Sequence, residues 1–260
     1  LALFMAWEKR SVPKRAAALL AGTLVTAAAI LPYSRGGALA LACVLGLSLL
    51  ARRVHLRQLA FGLGLLVLLA LLLPAGFARR LETFTQFLPG QEQVLRPDSS
   101  FEQRKLFARV AWRIFLDHPL LGVGAGNYTL HFDEYAEEVG SVSREYEDLG
   151  QFHYPHNLYL EIAAETGILG LFAFVAALAA GFSMLRTAAS RFRLAGDIGS
   201  ASLCRAFEIA IIGYLVSSLF LHGHFARYLW MLFGFAAALD RLAAGIPAER
   251  PQDGKGGAVA

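Results

Sequence analysis

Arginine side chains stand near the ends of apolar runs in this 260-residue sequence. Arg35 comes shortly after one such run and precedes Gly36 and Gly37, which permit close approach to the backbone. A guanidinium offers a permanent charge and planar donors that suit phosphate oxygens. Arg35 is therefore a candidate anion-binding residue at the depth of a lipid head group. The alternative is an interfacial arginine whose side chain reaches out of the lipid.

A histidine marks the start of a later apolar run. His156 follows Pro155, which places it at the mouth of a predicted membrane span. An imidazole has an ordinary pKa near neutrality and suits a general base. Asn157 is in position to orient it. Glu161 and Glu165 lie one helical turn apart and are costly in lipid, so we expect them to face a polar cavity. A helix cap or an interface residue is the alternative for His156.

The segment ahead of His156 contains a clear helix pattern. Ser99 and Glu102 form a capping box, apolar residues recur at helical spacing through Ile114, and His118-Pro119 ends the run. Arg104 and Arg109 are its candidate anion-binding residues, and a solvated helix face is the alternative. Arg227, ahead of the last apolar run, is either a further phosphate contact or an interfacial anchor.

Three other patterns carry less weight. The pairs His153/His156 and His222/His224 give a weak metal signal, since no HExxH motif accompanies them, and we predict no metal. The glycines from Gly122 to Gly126 lack the spacing of a nucleotide fingerprint and predict a flexible turn. Seven acidic residues between Asp133 and Asp148 are typical of a solvated, mobile stretch.

The elements that must position these residues are apolar. The chain is 56% hydrophobic and 17% charged, against about 25% charged in ordinary globular proteins. A purely soluble protein is therefore excluded, while a net charge of +4 does not indicate nucleic acid as a partner. Cys43 and Cys204 read as inert thiols. Six apolar runs predict membrane helices, some of them short: Ala16–Leu31, Gly36–Ala51, Leu59–Gly76, Ile162–Leu185, Phe207–Leu221 and Tyr228–Leu239.

The basic residues of the short loops set the predicted topology. Lysines and arginines before the first run, after the second and between the fourth and fifth fall on one side, which we assign to the cytoplasm. We predict an all-α integral membrane protein with about six transmembrane helices and a large periplasmic loop containing an amphipathic helix. The predicted domains are 1–76 and 156–242 as transmembrane helices, 77–155 as the periplasmic cap and 243–260 as a disordered cytoplasmic tail. Because Leu1–Trp7 looks like the exit of a membrane helix, we expect a truncated start.

Three sequence elements together resemble the O-antigen ligase and O-antigen polymerase superfamily of bacterial glycan transferases. They are YSRGG at 33–37, FEQRKLFARVAWRIFLDHPLLGVGAGNY at 101–128 and PHNLYLEIAAETGILG at 155–170. Their order and spacing match the family, and the likeness covers about Pro32 to Leu239. The second and third elements are fairly specific, whereas SRGG alone is weak.

The resemblance implies transfer of a glycan from undecaprenyl pyrophosphate to an acceptor hydroxyl at the periplasmic face of the inner membrane, without a metal or cofactor. On this basis Arg35 and Arg104 hold the donor pyrophosphate, with Arg109 and Arg227 as further contacts. His156 activates the acceptor in a single inverting displacement, supported by Asn157, which orients it or binds sugar, and by Glu161. The implied partners are the lipid-linked donor, membrane lipids and an acceptor.

Several alternatives stay open at this point. The acceptor is lipid A core, a growing polysaccharide or a protein, and the sequence does not separate a ligase from a polymerase or a protein glycosyltransferase. A transporter or flippase of lipid-linked or anionic solutes would also place arginine and glutamate in the membrane, although we find no internal repeat. A non-catalytic scaffold would need no cluster of histidine and arginine at one depth.

Overall fold

In the computed structural model, residues 13, 17, 21–22, 24–25, 35–51, 99–139, 153–221 and 227–246 are described. They form six principal helices and no strand. The helices are α1 (Arg35–Ala51), α2 (Ser99–Asp117), α3 (Tyr128–Glu138), α4 (Leu158–Leu194), α5 (Ile198–Ser217) and α6 (Arg227–Ala244). The all-helical prediction is thereby confirmed for the described part of the chain.

Four helices form an apolar bundle. Helices α4 and α5 are joined by the short loop 195–197 and run antiparallel, and α6 packs against both. On α1, Val44 faces Gly213, and with Leu47 it packs on Ala206 and Ile209 of α5. The buried residues of the α4, α5 and α6 core are Leu185, Ala188, Ala189, Phe192, Ala201, Cys204, Ile211, Leu229, Ala236, Leu239 and Ala243.

Helix α4 is broken at Gly167, where φ is 64° and ψ is −163°. In an unbroken helix, Tyr159 and Phe174 would be separated by about 22 Å along the axis. Their ring centroids are instead 6.4 Å apart, so the chain turns back at the glycine. We call residues 158–166 α4a and residues 168–194 α4b. Only glycine fits this point, because a Cβ at Gly167 would collide with the backbone of Leu120.

The second body of the fold, the cap, consists of α2, α3, the glycine-rich turn between them and α4a. The apolar spacing predicted for α2 produces its buried face, and the helix begins at Ser99 and ends at Asp117, as the capping box and His118-Pro119 predict. The prediction of a solvated, mobile acidic stretch is wrong for residues 133–138. These residues belong to α3, in which Tyr135 and Ala136 are buried. The buried residues of the cap are Leu106, Phe107, Val110, Ala111, Ile114, Tyr128, Phe132, Tyr135, Ala136 and Ala164.

Two described helices, α4 and α5, are long and apolar enough to cross a membrane, and α1 contains a shorter apolar stretch, Gly37–Ser48. The predicted runs at 36–51 and 228–239 lie within α1 and α6, whereas 162–185 crosses the break in α4 and 207–221 overlaps only the second half of α5. Most of Ala16–Leu31, all of Leu59–Gly76 and the tail from residue 247 lie outside the described residues. Six spans, a periplasmic loop and the domain boundaries therefore stay predictions.

Candidate functional site

The first residues of α4a dock on the end of α5. The Oδ1 atom of Asn157 accepts hydrogen bonds from the N–H groups of Tyr159 at 3.0 Å and Leu160 at 3.1 Å, which caps the helix. Its Nδ2 atom donates to the carbonyl of Leu219 at 3.3 Å, and the N–H of Leu158 donates to Ser218 at 3.0 Å. Asn157 thus fixes where α4a begins, which is a structural role beside the predicted one.

His156 precedes this cap in an unusual backbone conformation. Its φ is 48°, which makes it the one non-glycine residue in the described part of the chain with a positive φ. Such a conformation costs on the order of 1–3 kcal/mol and persists where the surroundings enforce it. The half-buried imidazole lies almost parallel to the ring of Phe107 on α2, with centroids 6.0 Å apart. The fold therefore holds His156 in a defined place between α2 and the end of α5.

A second histidine shares this aromatic contact. The ring of His153 stacks on Phe132 of α3 at 4.3 Å and meets Phe107 edge-on at 5.3 Å. Phe107 is held in turn from α3, because the Tyr128 hydroxyl donates to its carbonyl at 2.9 Å. From the sequence, His153 was considered only as one half of a weak metal-binding pair. The apolar spacing of α2 gave no reason to distinguish Phe107 from the other buried residues of that helix. This ring cluster was therefore missed.

The buried Glu165 on α4a holds the glycine-rich turn. Its carboxylate accepts from the N–H groups of Gly126 at 2.8 Å and Tyr128 at 3.3 Å. Its backbone carbonyl accepts from Gly124 at 2.8 Å. A Cβ at Gly122, where φ is 66°, would collide with the Glu165 backbone, so the glycines allow the turn to lie directly on the helix. The turn is a docking element here.

Glu161 lies one turn before Glu165 and is also buried. Burial is the main cause that raises the pKa of Tyr128 well above its usual value, and the nearby Glu161 carboxylate adds to it. Tyr128 consequently stays protonated and keeps its donor for Phe107. The predicted polar surroundings are confirmed for Glu165, where they consist of backbone N–H groups; for Glu161 they stay a prediction.

The helix directions bring two of the predicted arginine positions, Arg35 and Arg227, towards this site. Helix α1 runs antiparallel to α5, so its first residue, Arg35, belongs at the end of α5 where Asn157 is bonded. The side chain of Arg35 lies outside the described residues. Helix α6 runs parallel to α4b, as contacts of Gly181 with Phe233 and of Arg191 with Asp240 indicate. Arg227 therefore begins α6 at the same end of the bundle.

The two predicted anion-binding arginines of α2, Arg104 and Arg109, lie on different sides of the helix. Arg104 is exposed and lies one helical turn before Phe107, the residue whose ring contacts His156. Arg109 is also exposed, but it lies two residues after Phe107 and so points to the other side of the helix. Arg104 therefore lies on the turn that precedes Phe107, and Arg109 lies on the other side of α2.

In the described part of the chain, no three His, Cys, Asp or Glu side chains are arranged to hold a metal ion. His222 and His224 lie outside the described residues. That the site works without a metal ion therefore stays a prediction, because this finding covers the described residues alone.

Comparison with known proteins gives one family. The family model described as O-antigen ligase matches residues 2–175, which is more than half of the chain. The match includes α1, the cap with its helix α4a, and the first residues of α4b. No curated protein matches the sequence.

Proposed function

Since the chain belongs to the O-antigen ligase family, we propose that it transfers a glycan from undecaprenyl pyrophosphate to an acceptor hydroxyl. The family implies lipid-linked polysaccharide substrates in general; the particular donor is our proposal, as is the location at the periplasmic face of a bacterial inner membrane. Two helices able to cross a membrane support the membrane setting.

The reaction is a single displacement at the sugar carbon that carries the pyrophosphate. The acceptor oxygen forms a bond to this carbon as the carbon–oxygen bond to pyrophosphate breaks, which inverts its configuration. The leaving oxygen takes the electron pair, and undecaprenyl pyrophosphate departs. His156 accepts the proton of the acceptor hydroxyl, which makes that oxygen a better nucleophile. All atoms and charges balance without a metal or a cofactor.

The observation that carries the proposal is the contact between His156 and Phe107. It supports the proposal because Phe107 lies one helical turn after Arg104 on α2. Negative charge concentrates on the departing pyrophosphate, and fixed guanidinium groups stabilise it most where water is excluded. Arg35 and Arg227, at the first residues of α1 and α6, are proposed to complete the anion site.

The remaining predicted residues support this arrangement. Asn157 sets the start of α4a and thereby the position of His156. Glu161 lies on the next turn of the same helix and is proposed to orient the imidazole or to balance the arginines. Arg109 is left out of the proposed donor site, because its side chain points away from Phe107. The donor contacts we propose are Arg35, Arg104 and Arg227.

The broken helix keeps one rival function in view. Discontinuous helices are typical of ion and solute transporters, and α4 is broken at Gly167. Purified protein in detergent separates the two functions, because no two compartments exist there. A transferase will join a lipid-linked glycan to its acceptor under these conditions, and a transporter will produce no joined product.

The same assay tests His156. The His156→Asn variant removes the base and keeps a residue that tolerates positive φ, so the fold is retained and we expect at least a hundredfold slower transfer. His118→Asn, an exposed histidine at the end of α2, is the control and should transfer at the rate of the unaltered protein. Transfer at the normal rate by His156→Asn would exclude the proposed base.

The acceptor is open to a genetic test. Deletion of the gene for a ligase leaves lipid-linked glycan unattached, whereas loss of a polymerase leaves single repeat units on the surface. If the surface polysaccharide is unchanged, a protein acceptor becomes the leading alternative.

A further inference from the structure

Helix α2 has a second organised face in addition to its core face. Lys105, Arg109, Trp112 and Leu116 follow one another at spacings of four, three and four residues, so they form one stripe along the helix. This stripe lies opposite the buried face that contacts α3 and α4a. Trp112 is 51% exposed and Leu116 is 50% exposed. We call these four residues the outer stripe.

The turn that follows α2 also carries two exposed apolar side chains. Leu120 is 65% exposed and Leu121 is 71% exposed. The turn is pinned to the first residues of α4b, because the N–H of Ile168 donates to the carbonyl of Pro119 at 2.8 Å and that of Leu169 donates to Leu120 at 3.4 Å. The exposed leucines therefore lie at the level where α4b begins.

That level is the start of the longest apolar segment among the described helices. Residues 168–185 carry no charge, and Arg186 follows them. Eighteen helical residues extend over about 27 Å, close to the ~30 Å of a bilayer's hydrocarbon. Ile168, Leu169 and Phe172 are themselves exposed. The exposed apolar surface of the turn is thus continuous with the surface of a candidate membrane span.

We propose that the outer stripe and the exposed leucines of the turn bind the surface of a lipid bilayer that contains anionic lipids. Large exposed apolar patches mark interaction sites. Tryptophan is enriched at membrane interfaces, and a cationic end beside an apolar end is typical of helices that lie in the interface. Lys105 and Arg109 contact lipid phosphates in this arrangement. The cap is thereby fixed against the bilayer on one side of α2 while Phe107 contacts His156 on the other.

Fluorescence quenching in vesicles tests this contact directly. The full chain contains three tryptophans, and replacing Trp7 and Trp230 by Phe leaves Trp112 as the reporter. The protein is reconstituted in phosphatidylcholine vesicles with added phosphatidylglycerol, brominated either near the head groups or near the chain ends. We expect bromolipid to reduce Trp112 emission at least twofold, with head-group-proximal bromine more effective, and acrylamide to have little effect.

A matched control places the reporter elsewhere in the cap. Leu130 on α3 is 77% exposed and does not belong to the outer stripe, so Leu130→Trp combined with Trp112→Phe should be quenched by acrylamide and not by bromolipid. Quenching of Trp112 by acrylamide alone would overturn the proposal in favour of a water-facing stripe. Protection of Trp112 from both quenchers would overturn it in favour of a protein surface covering this face.

Charge reversal provides a second test that does not depend on apolar substitutions. Lys105→Glu with Arg109→Glu should weaken bromolipid quenching of Trp112 in vesicles with phosphatidylglycerol and not in vesicles of phosphatidylcholine alone. If the charge reversal changes the quenching of Trp112 equally in both vesicle types, the contact of Lys105 and Arg109 with anionic lipid is contradicted. Because these readings require no transfer, repeating them in the His156→Asn background separates the failure of this proposal from the failure of the proposed function.

Discussion

The two ends of the helix bundle use buried carboxylates in different ways. In the half of the bundle nearer the loop 195–197, Glu208, at the midpoint of α5, accepts from Arg205 at 2.7 Å and from Arg186 at 3.2 Å. At the end that carries His156, which we call the site end, Glu165 is bonded to the backbone N–H groups of the glycine-rich turn. Arginine therefore neutralises carboxylate at one end, and backbone donors do so at the other.

The difference matters because a cation paired with a protein carboxylate is less available to an anionic ligand. Arg104 makes no ion pair within the described part of the chain, whereas Arg113 on the same helix is bonded to Asp117 and Glu138. The carboxylate of Glu165 at the site end is thus satisfied without this guanidinium. Such an arrangement suits a site that must attract and then release a pyrophosphate-bearing lipid.

The largest expected effect sharpens this comparison through Arg104 and Arg113, two of the three arginines of α2. Arg104→Gln removes a charged contact to the donor, so we expect the transfer rate at limiting donor to fall roughly 10- to 100-fold. Arg113→Gln removes an exposed ion pair and should leave the rate within about twofold. The measurement is product formed per unit time in detergent. Equal losses in both variants would show that α2 contributes only general positive charge.

A smaller effect compares the two glutamates. Glu165→Gln keeps the volume of the side chain but offers one acceptor oxygen for two N–H groups, so the free energy of unfolding should fall by about 1–2 kcal/mol. Glu208→Gln should cost below about 1 kcal/mol, because its arginine partners are 72% and 51% exposed and water replaces the lost pairs. Thermal unfolding in detergent measures both. A larger loss in Glu208→Gln would reverse the comparison.

The sequence predicts the bundle better than the cap, and the reason is physical. An apolar run long enough for a helix needs no partner to be recognised, so α1, α4b, α5 and α6 were all predicted, and α2 was predicted with both of its ends. Helix α3 carries acidic residues on most of its surface, and its buried residues Tyr135 and Ala136 do not form a long apolar run. Local charge therefore masked a short helix stabilised by tertiary packing.

The break in α4 escaped prediction for a related reason. Gly167 stands in an apolar sequence where glycine is common, and its role depends on the turn that occupies the break. The same holds for Glu165, whose partners are 37 and 39 residues away in sequence. Residue types indicated that a polar environment must exist around α4a, but pairing at this distance is set by the fold.

The smallest effect separates the two ends by pH. Asp197 caps α5 at the Glu208 end by accepting from the N–H of Ser200 at 2.9 Å, and hydrogen bonding from Ser200 lowers the pKa of its carboxyl. Asn157 caps α4a at the site end and does not titrate. A lowered pKa in the folded state means that stability is gained at pH values above the unfolded-state pKa of about 3.9. This stability is lost as pH falls through the folded-state pKa.

Asp197→Ala and Asn157→Ala should each cost about 1 kcal/mol at neutral pH. As pH falls from about 7 to about 3 the Asp197→Ala difference should shrink and the Asn157→Ala difference should persist, as thermal unfolding at each pH will show. Parallel pH dependence in the two variants would contradict the assignment, because only the Asp197 cap can take up a proton as the pH falls.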